Sequence, residues 1–235
     1  MRRGLAAAVL LLLATGCGGG RAHHVAANPS PAPTFALSGC VREGEGQIFH
    51  QPVDGVLLGS GPRGVVLSHQ SDGNLCQWLD FGRQLAGQGY HVALWDCCGA
   101  DPAASLASVV TLLRQAGASK VTLVGASMGA KISIIGGAQV SPPVDGVVAL
   151  SPEEYLRAIE IAPYAARLAV PFLCVTADQD PYGSGPMCPK FVAAARTPDR
   201  RELRVPGTDH GIALLHDTGV ESAVLAFLAR TTTSG

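Results

Sequence analysis

The chain has 235 residues, of which 15% are charged, with 17 Lys and Arg against 18 Asp and Glu. A net charge of −1 spread this thinly offers no basic stripe, so nucleic acid is not an expected partner. The length suits one substantial core rather than two domains.

Arg2 and Arg3 precede an apolar run from Leu5 to Ala14, which ends in Thr15-Gly16-Cys17. A charged start, a short apolar stretch and a small-residue exit describe an export signal, too short to span a bilayer. Residues 1–16 are therefore read as a signal peptide. Residues 17–39, rich in Gly, Ala, Pro and Ser, are read as a flexible tether that buries too little apolar surface to offset its ordering entropy. His23 and His24 lie inside that tether without further ligands nearby, so a solvated linker is the preferred reading over a metal site. Residues 40–235 form the single expected domain.

Beyond Cys17 the cysteines are Cys40, Cys76, Cys97, Cys98, Cys174 and Cys188. Six in an exported chain permit up to three disulfides in fifteen complete pairings. Cys40 stands where the tether meets the domain and suggests a pin. Cys76 with Cys97 or Cys98, and Cys174 with Cys188, are the pairings that the order of elements suggests. Zinc is not expected, because no CxxC pair with a partner pair is present.

Two weak β signals flank Pro52 and Asp54-Gly55 within Gln47–Leu58, as in an antiparallel edge pair. Residues 59–64 spell GxGxxG, yet Pro62 sits inside it and a strand follows directly, so no dinucleotide fingerprint is read. Gly64–Ser68 is a central strand and Leu75–Ala86 a helix with Trp78, Leu79 and Leu85 inward. Tyr90–Trp95 is the next strand. Asp101-Pro102 opens a helix to about Gln115, with Leu106, Val109, Val110 and Leu113 at helical spacing. Val144–Leu150 is a strand, and Ser151-Pro152-Glu153-Glu154 after it looks like a cap opening a helix over Glu153–Arg167, interrupted near Pro163. Strands at Pro171–Ala177 and Arg201–Val205 follow, with helices near Lys190–Ala195 and Ser222–Ala229. This alternation predicts an α/β fold, a doubly wound, mostly parallel sheet with helices on both faces.

Lys120–Gly129, KVTLVGASMG, organises the rest. An uninterrupted apolar strand runs into Gly-x-Ser-x-Gly, where Gly125 and Gly129 remove side chains that would collide across a sharp strand-to-helix turn. Ser127 Oγ would then stand at the sheet's C-terminal edge, beside the amide-rich start of a helix. Asp178 and His210 each follow a later strand, so all three should gather along that edge in the order Ser, Asp, His. His210 would take the serine proton and Asp178 would hold its tautomer. Met128 N–H and Gln70 N–H are the expected oxyanion donors. Asp180 is the chief rival to Asp178, with capping of a turn as its other reading, and Glu153 and Glu154 are further rivals. His69 and His216 are the rivals to His210. Cys97 or Cys98 as nucleophile lacks the strand-turn-helix setting.

These motifs resemble those of the α/β-hydrolase family over roughly Gly44–Arg230: SHQSDGNLCQW resembles its oxyanion loop, GASMG its nucleophile elbow, TADQDPY its acid loop and GTDHG its histidine loop. The resemblance implies Ser127, Asp178 and His210 as nucleophile, acid and base, and carboxylic ester hydrolysis through an acyl-serine. It depends on no metal or organic cofactor. His69-Gln70 replaces the family's common His-Gly, and Leu150 to Pro171 leaves no room for a large cap. An open site for small or surface-presented esters is expected, in a monomer. Thioesterase, amidase and acyltransferase chemistry would use the same residues, and a catalytically silent envelope binding protein is the alternative from another class. The N-terminal exit resembles that of bacterial lipoproteins, although Ala14 stands where that pattern prefers Leu. It implies a lipid on Cys17 and a place on the outer face of the cytoplasmic membrane, with an ordinary secretory signal as the other reading.

Overall fold

A computed structural model describes residues 35–97 and 99–233. The stretch expected as signal peptide, Cys17 as the expected lipidation site, most of the expected tether and Cys98 lie outside the described residues. Within the stretch expected as tether, Phe35–Leu37 forms a strand paired antiparallel with Val41–Arg42.

Eight strands make the main sheet: β1 (Gln47–Phe49), β2 (Gly55–Leu58), β3 (Arg63–Ser68), β4 (His91–Trp95), β5 (Lys120–Ala126), β6 (Gly146–Leu150), β7 (Phe172–Ala177) and β8 (Arg200–Val205). Their spatial order is β8-β7-β6-β5-β3-β4-β2-β1. The pairs from β8 through to β4 are parallel, while β2 and β1 are antiparallel at one edge, as their Pro52 and Asp54-Gly55 turn predicts.

The strands at the centre are apolar throughout because both faces are covered. Along β5, Val121 and Leu123 pack with Leu106, Leu113 and Ile132 on one side, whereas Val124 and Ala126 pack with Leu85, Val224 and Leu228 on the other. The alternation follows the two-residue period of a strand. The covering helices are α1 (Leu79–Gly87), α2 (Pro102–Gln115), α3 (Met128–Gln139), α4 (Ala162–Ala165), α5 (Met187–Ala194) and α6 (Thr218–Thr232). α2 starts as its sequence predicts: Asp101 accepts a hydrogen bond from Ala104 N–H and Pro102 opens the first turn.

One predicted helix is absent. Residues 155–160 form a two-stranded hairpin, Tyr155–Leu156 against Ile159–Glu160, and only the four residues of α4 are α-helical afterwards. Ser151 cannot cap there because its backbone has φ of 50° and its hydroxyl accepts from Gly211 N–H at 2.9 Å. Arg157, at φ 55°, turns the hairpin and donates to the carbonyls of Gly99 and Ala100.

Two disulfides are present, Cys40–Cys76 and Cys174–Cys188. The second is the local pairing expected. The first corrects the expected pairing of Cys76 with Cys97 or Cys98: Cys76 stands at the start of the one-turn 3-10 helix Leu75–Trp78 that precedes α1, where the strand pair at residues 35–42 brings Cys40 to it. Among the described residues no helix is long and apolar enough to cross a membrane.

Candidate active site

The strand β5 ends at Ala126, and Ser127 is held at φ 51° and ψ −111°, a conformation that costs a non-glycine residue energy. The surroundings enforce it. Ser127 N–H donates to Leu150 O at 2.8 Å, extending the ladder to β6, while its carbonyl accepts from Ala130 and Lys131 N–H as α3 begins. A Cβ on Gly125 would lie 2.1 Å from Gly129 O, and one on Gly129 would lie 2.0 Å from Ser68 O. The two glycines therefore let the turn close on itself and on the end of β3.

His210 follows β8 and precedes the 3-10 segment Gly211–His216. Its Nδ1 is 2.8 Å from Asp180 Oδ2 and 3.0 Å from Asp180 Oδ1. Here the structure departs from the expected acid. Asp178 N–H still belongs to the ladder, donating to Val205 O, and its carboxylate is turned outward to accept from Gly207 N–H at 2.9 Å. Asp178 thus braces the loop after β8, and Asp180, two residues further on, turns inward.

The Asp180 side chain is wholly buried. Burial alone would raise its pKa. Hydrogen bonds from Ser184 Oγ, His210, Tyr182 N–H and Ser151 outweigh that and hold it below the usual carboxylate range. Tyr182, although largely exposed, lays its ring 4.4 Å from the His210 ring.

Ser127 Oγ does not point its proton at His210. It donates to Glu153 Oε1 at 2.9 Å, and that same oxygen is 3.5 Å from His210 Nε2. Glu153 Oε2 is 2.5 Å from Lys131 Nζ, an ion pair that neither side chain shares much with solvent. Glu153 was a rival for the acid role, but it lies on the Nε2 side of the ring rather than behind Nδ1. Glu154 faces away and pairs with Lys190.

The loop after β3, expected to supply an oxyanion donor, is laced by hydrogen bonds. His69 is buried, with Nδ1 2.6 Å from Gln70 O and Nε2 accepting from Cys97 N–H at 2.9 Å. These bonds assign the neutral tautomer with the proton on Nδ1, and burial lowers its pKa. The Gln70 side chain bridges Ile212 N–H and Asp72. Gly211 permits that bridge: it sits at φ 61°, and a Cβ there would lie 1.9 Å from Gln70 Oε1. The expected second oxyanion donor, Gln70 N–H, is taken by Gln77 Oε1 at 3.2 Å. Met128, the first expected donor, opens α3 directly after the serine. The rival His216 is exposed on the 3-10 segment.

Ser127, His210 and Glu153 line a cavity of about 120 Å³ with Gln70, Ser71, Asp72 and Tyr182. A larger cavity of about 560 Å³ lies apart from it, between α2, the end of α3 and the 155–160 hairpin. Among the described residues no cluster of three metal-ligating side chains occurs.

Of the residues predicted from sequence, Ser127 and His210 come to one cavity and Asp178 does not. Asp180 was legible only as a rival. Lys131 and Tyr182 were not anticipated, since a lysine early in a helix and a tyrosine in a loop carry no signal of their own.

Neither a protein-family model nor a curated protein sequence matches this chain. Solved structures do. An esterase of Pyrococcus furiosus superposes with a TM-score of 0.64 at 17% identity, covering 77% of this chain and 86% of that one. Est1E from Butyrivibrio proteoclasticus gives a TM-score of 0.66 at 15% identity, over 78% and 97% of the two chains. A monoacylglycerol lipase of Paleococcus ferrophilus gives 0.64 at 15% identity, over 79% and 99%. At such identities likeness speaks for architecture alone, and it agrees with the order of strands in the sheet: the chain has the α/β-hydrolase fold.

Proposed function

We propose that this protein is a serine hydrolase that cleaves small carboxylic esters through an acyl-serine intermediate, with Ser127 as nucleophile, His210 as base and Asp180 as the acid. The observation that carries the reading is the Asp180 carboxylate set 2.8 Å from His210 Nδ1 while the other face of that imidazole lines the Ser127 cavity. Asp180 holds the proton on Nδ1, which leaves Nε2 to accept the Ser127 proton once a substrate has displaced Glu153 from between them. Ser127 Oγ then attacks the carbonyl carbon, and the negative charge that develops on the carbonyl oxygen falls near the start of α3, where Met128 N–H is available. Gln70 N–H joins it when Gln77 releases that amide. Collapse expels the alcohol with the proton from His210, and water repeats the sequence on the acyl-serine. The fold shared with esterases and a lipase suits this reading, and thioester or amide cleavage would use the same residues.

The two disulfides favour an oxidising compartment, which suits the export signal read at residues 1–16 and a lipid on Cys17. The direct test of activity is labelling of the folded, oxidised domain with a fluorophosphonate, beside Ser127→Ala, followed by a panel of short-chain esters. Labelling and turnover that vanish in Ser127→Ala are expected. Folded protein that neither labels nor turns over any ester would overturn the hydrolase reading and favour a binding protein on the same fold.

A further inference from the structure

Glu153 occupies the place that a reacting carbonyl needs. Its Oε1 lies at hydrogen-bond distance from Ser127 Oγ and near His210 Nε2, and a carbonyl carbon poised for attack must approach Oγ to roughly 3–3.5 Å. The other oxygen of Glu153 is paired with Lys131 Nζ, an ion pair that keeps the carboxylate beside the cavity when a substrate displaces Oε1 from between Ser127 and His210. Every substrate is therefore handled beside a carboxylate. An anion there opposes the negative charge that attack creates, unless the substrate brings a positive charge of its own.

The remaining wall has the same bias. Asp72 also lines the cavity, held by the neutral amides of Gln70 and Gln77, which keep its pKa lowered. Neither lysine nor arginine is among the lining residues. Lys131, the cation nearest to Glu153, is already paired and lies outside that lining. The exposed Tyr182 ring adds an aromatic face at the cavity's edge, a surface that attracts cations.

We propose that Glu153 is a specificity-determining residue, whose carboxylate makes the site prefer esters that carry a quaternary or protonated ammonium over neutral isosteres. This rests on the hydrolase reading. Lys131 tempers the preference by sharing the Glu153 charge, so the two residues should act in opposite directions.

The test uses two isosteric pairs on folded, oxidised protein. One pair carries its charge on the acyl group: the nitrophenyl esters of 4-trimethylammoniobutanoic acid and of 5,5-dimethylhexanoic acid. The other carries it on the alcohol: the acetates of trimethylammonioethanol and of 3,3-dimethylbutanol. In at least one pair the ratio of kcat/KM, cationic over neutral, should reach about tenfold, fall to about one in Glu153→Gln and rise in Lys131→Met. A ratio of one or less in both pairs, or a preference that Glu153→Gln leaves unchanged, would overturn the proposal while leaving the hydrolase reading intact. If Glu153→Gln does not fold, Lys131→Met decides: a higher ratio supports the proposal, and an unchanged or lower one overturns it. No Ser127-dependent turnover of the four esters in protein that a fluorophosphonate does label would overturn the proposal alone, whereas absence of both labelling and turnover would remove the hydrolase reading and the proposal together.

Discussion

Asp178 and Asp180 are the same residue type two positions apart, yet their surroundings give them unlike roles. Asp178 remains in register with β8 and braces Gly207 from outside, whereas Asp180 turns inward, where Ser184, Tyr182 N–H and His210 satisfy its oxygens. A carboxylate that fixes the imidazole tautomer contributes in the transition state, and one that braces a loop contributes mainly to folding. Asp180→Asn is therefore expected to lower kcat/KM for a short-chain ester by about a thousandfold, while Asp178→Asn changes it by less than about threefold. Steady-state kinetics on the two variants, with their unfolding midpoints measured alongside, checks this. Comparable losses in both would return Asp178 to the acid role. The two aspartates are equivalent in the sequence, because each follows an apolar strand and precedes a turn. Which one turns inward is decided by where the ladder between β7 and β8 ends.

At the scale of elements, the turn between β5 and α3 is the part whose sequence and geometry agree most closely. Its glycines are needed for space, not for backbone freedom: Gly129 packs on the Ser68 carbonyl and Gly125 on Gly129 itself. Gly129→Ala should destabilise the protein by about 3 kcal/mol or more, because backbone on both sides must shift to admit a methyl group. Gly87→Ala, at the end of α1 with open space around its Cβ, should be neutral or stabilising by about 0.5 kcal/mol. Denaturant melts of the pair make the comparison, and a mild effect at Gly129 would mean that the turn has slack. The segment after β6 shows the opposite case. Ser151-Pro152-Glu153-Glu154 has the composition of a helix start, but the Ser151 hydroxyl is engaged by Gly211, sixty positions away in the chain. Local propensity loses there to a long-range bond, and the loop that results delivers Glu153 to Ser127.

Across the whole molecule, two covalent ties act on different lengths of chain. Cys40–Cys76 spans 36 positions and fastens the first described strands to the 3-10 turn that precedes α1, while Cys174–Cys188 spans 14 and joins β7 to α5. If both act by restricting the unfolded chain, losing the first should cost roughly 4 kcal/mol and losing the second roughly 3 kcal/mol. Unfolding of the Cys40→Ser/Cys76→Ser and Cys174→Ser/Cys188→Ser proteins would test the ranking. A reversed order would mean that the short tie chiefly protects the packing of α5 on the sheet. The substrate-facing layout is also a property of the whole, because β3, β5, β6, β7 and β8 all end at one edge and bring Gln70, Ser127, Glu153, Asp180 and His210 together from five loops.

Local sequence was enough to read the alternation of strands and helices, the serine turn and the histidine after the last strand. Each depends on local pattern: apolar period, capping residues and small residues flanking a turn. Long-range packing chose which aspartate meets His210, brought Glu153 to Ser127 and paired Cys76 with Cys40 rather than with Cys97 or Cys98. Those choices depend on side chains from distant strands competing for the same few ångströms, and no local pattern records which of them arrives.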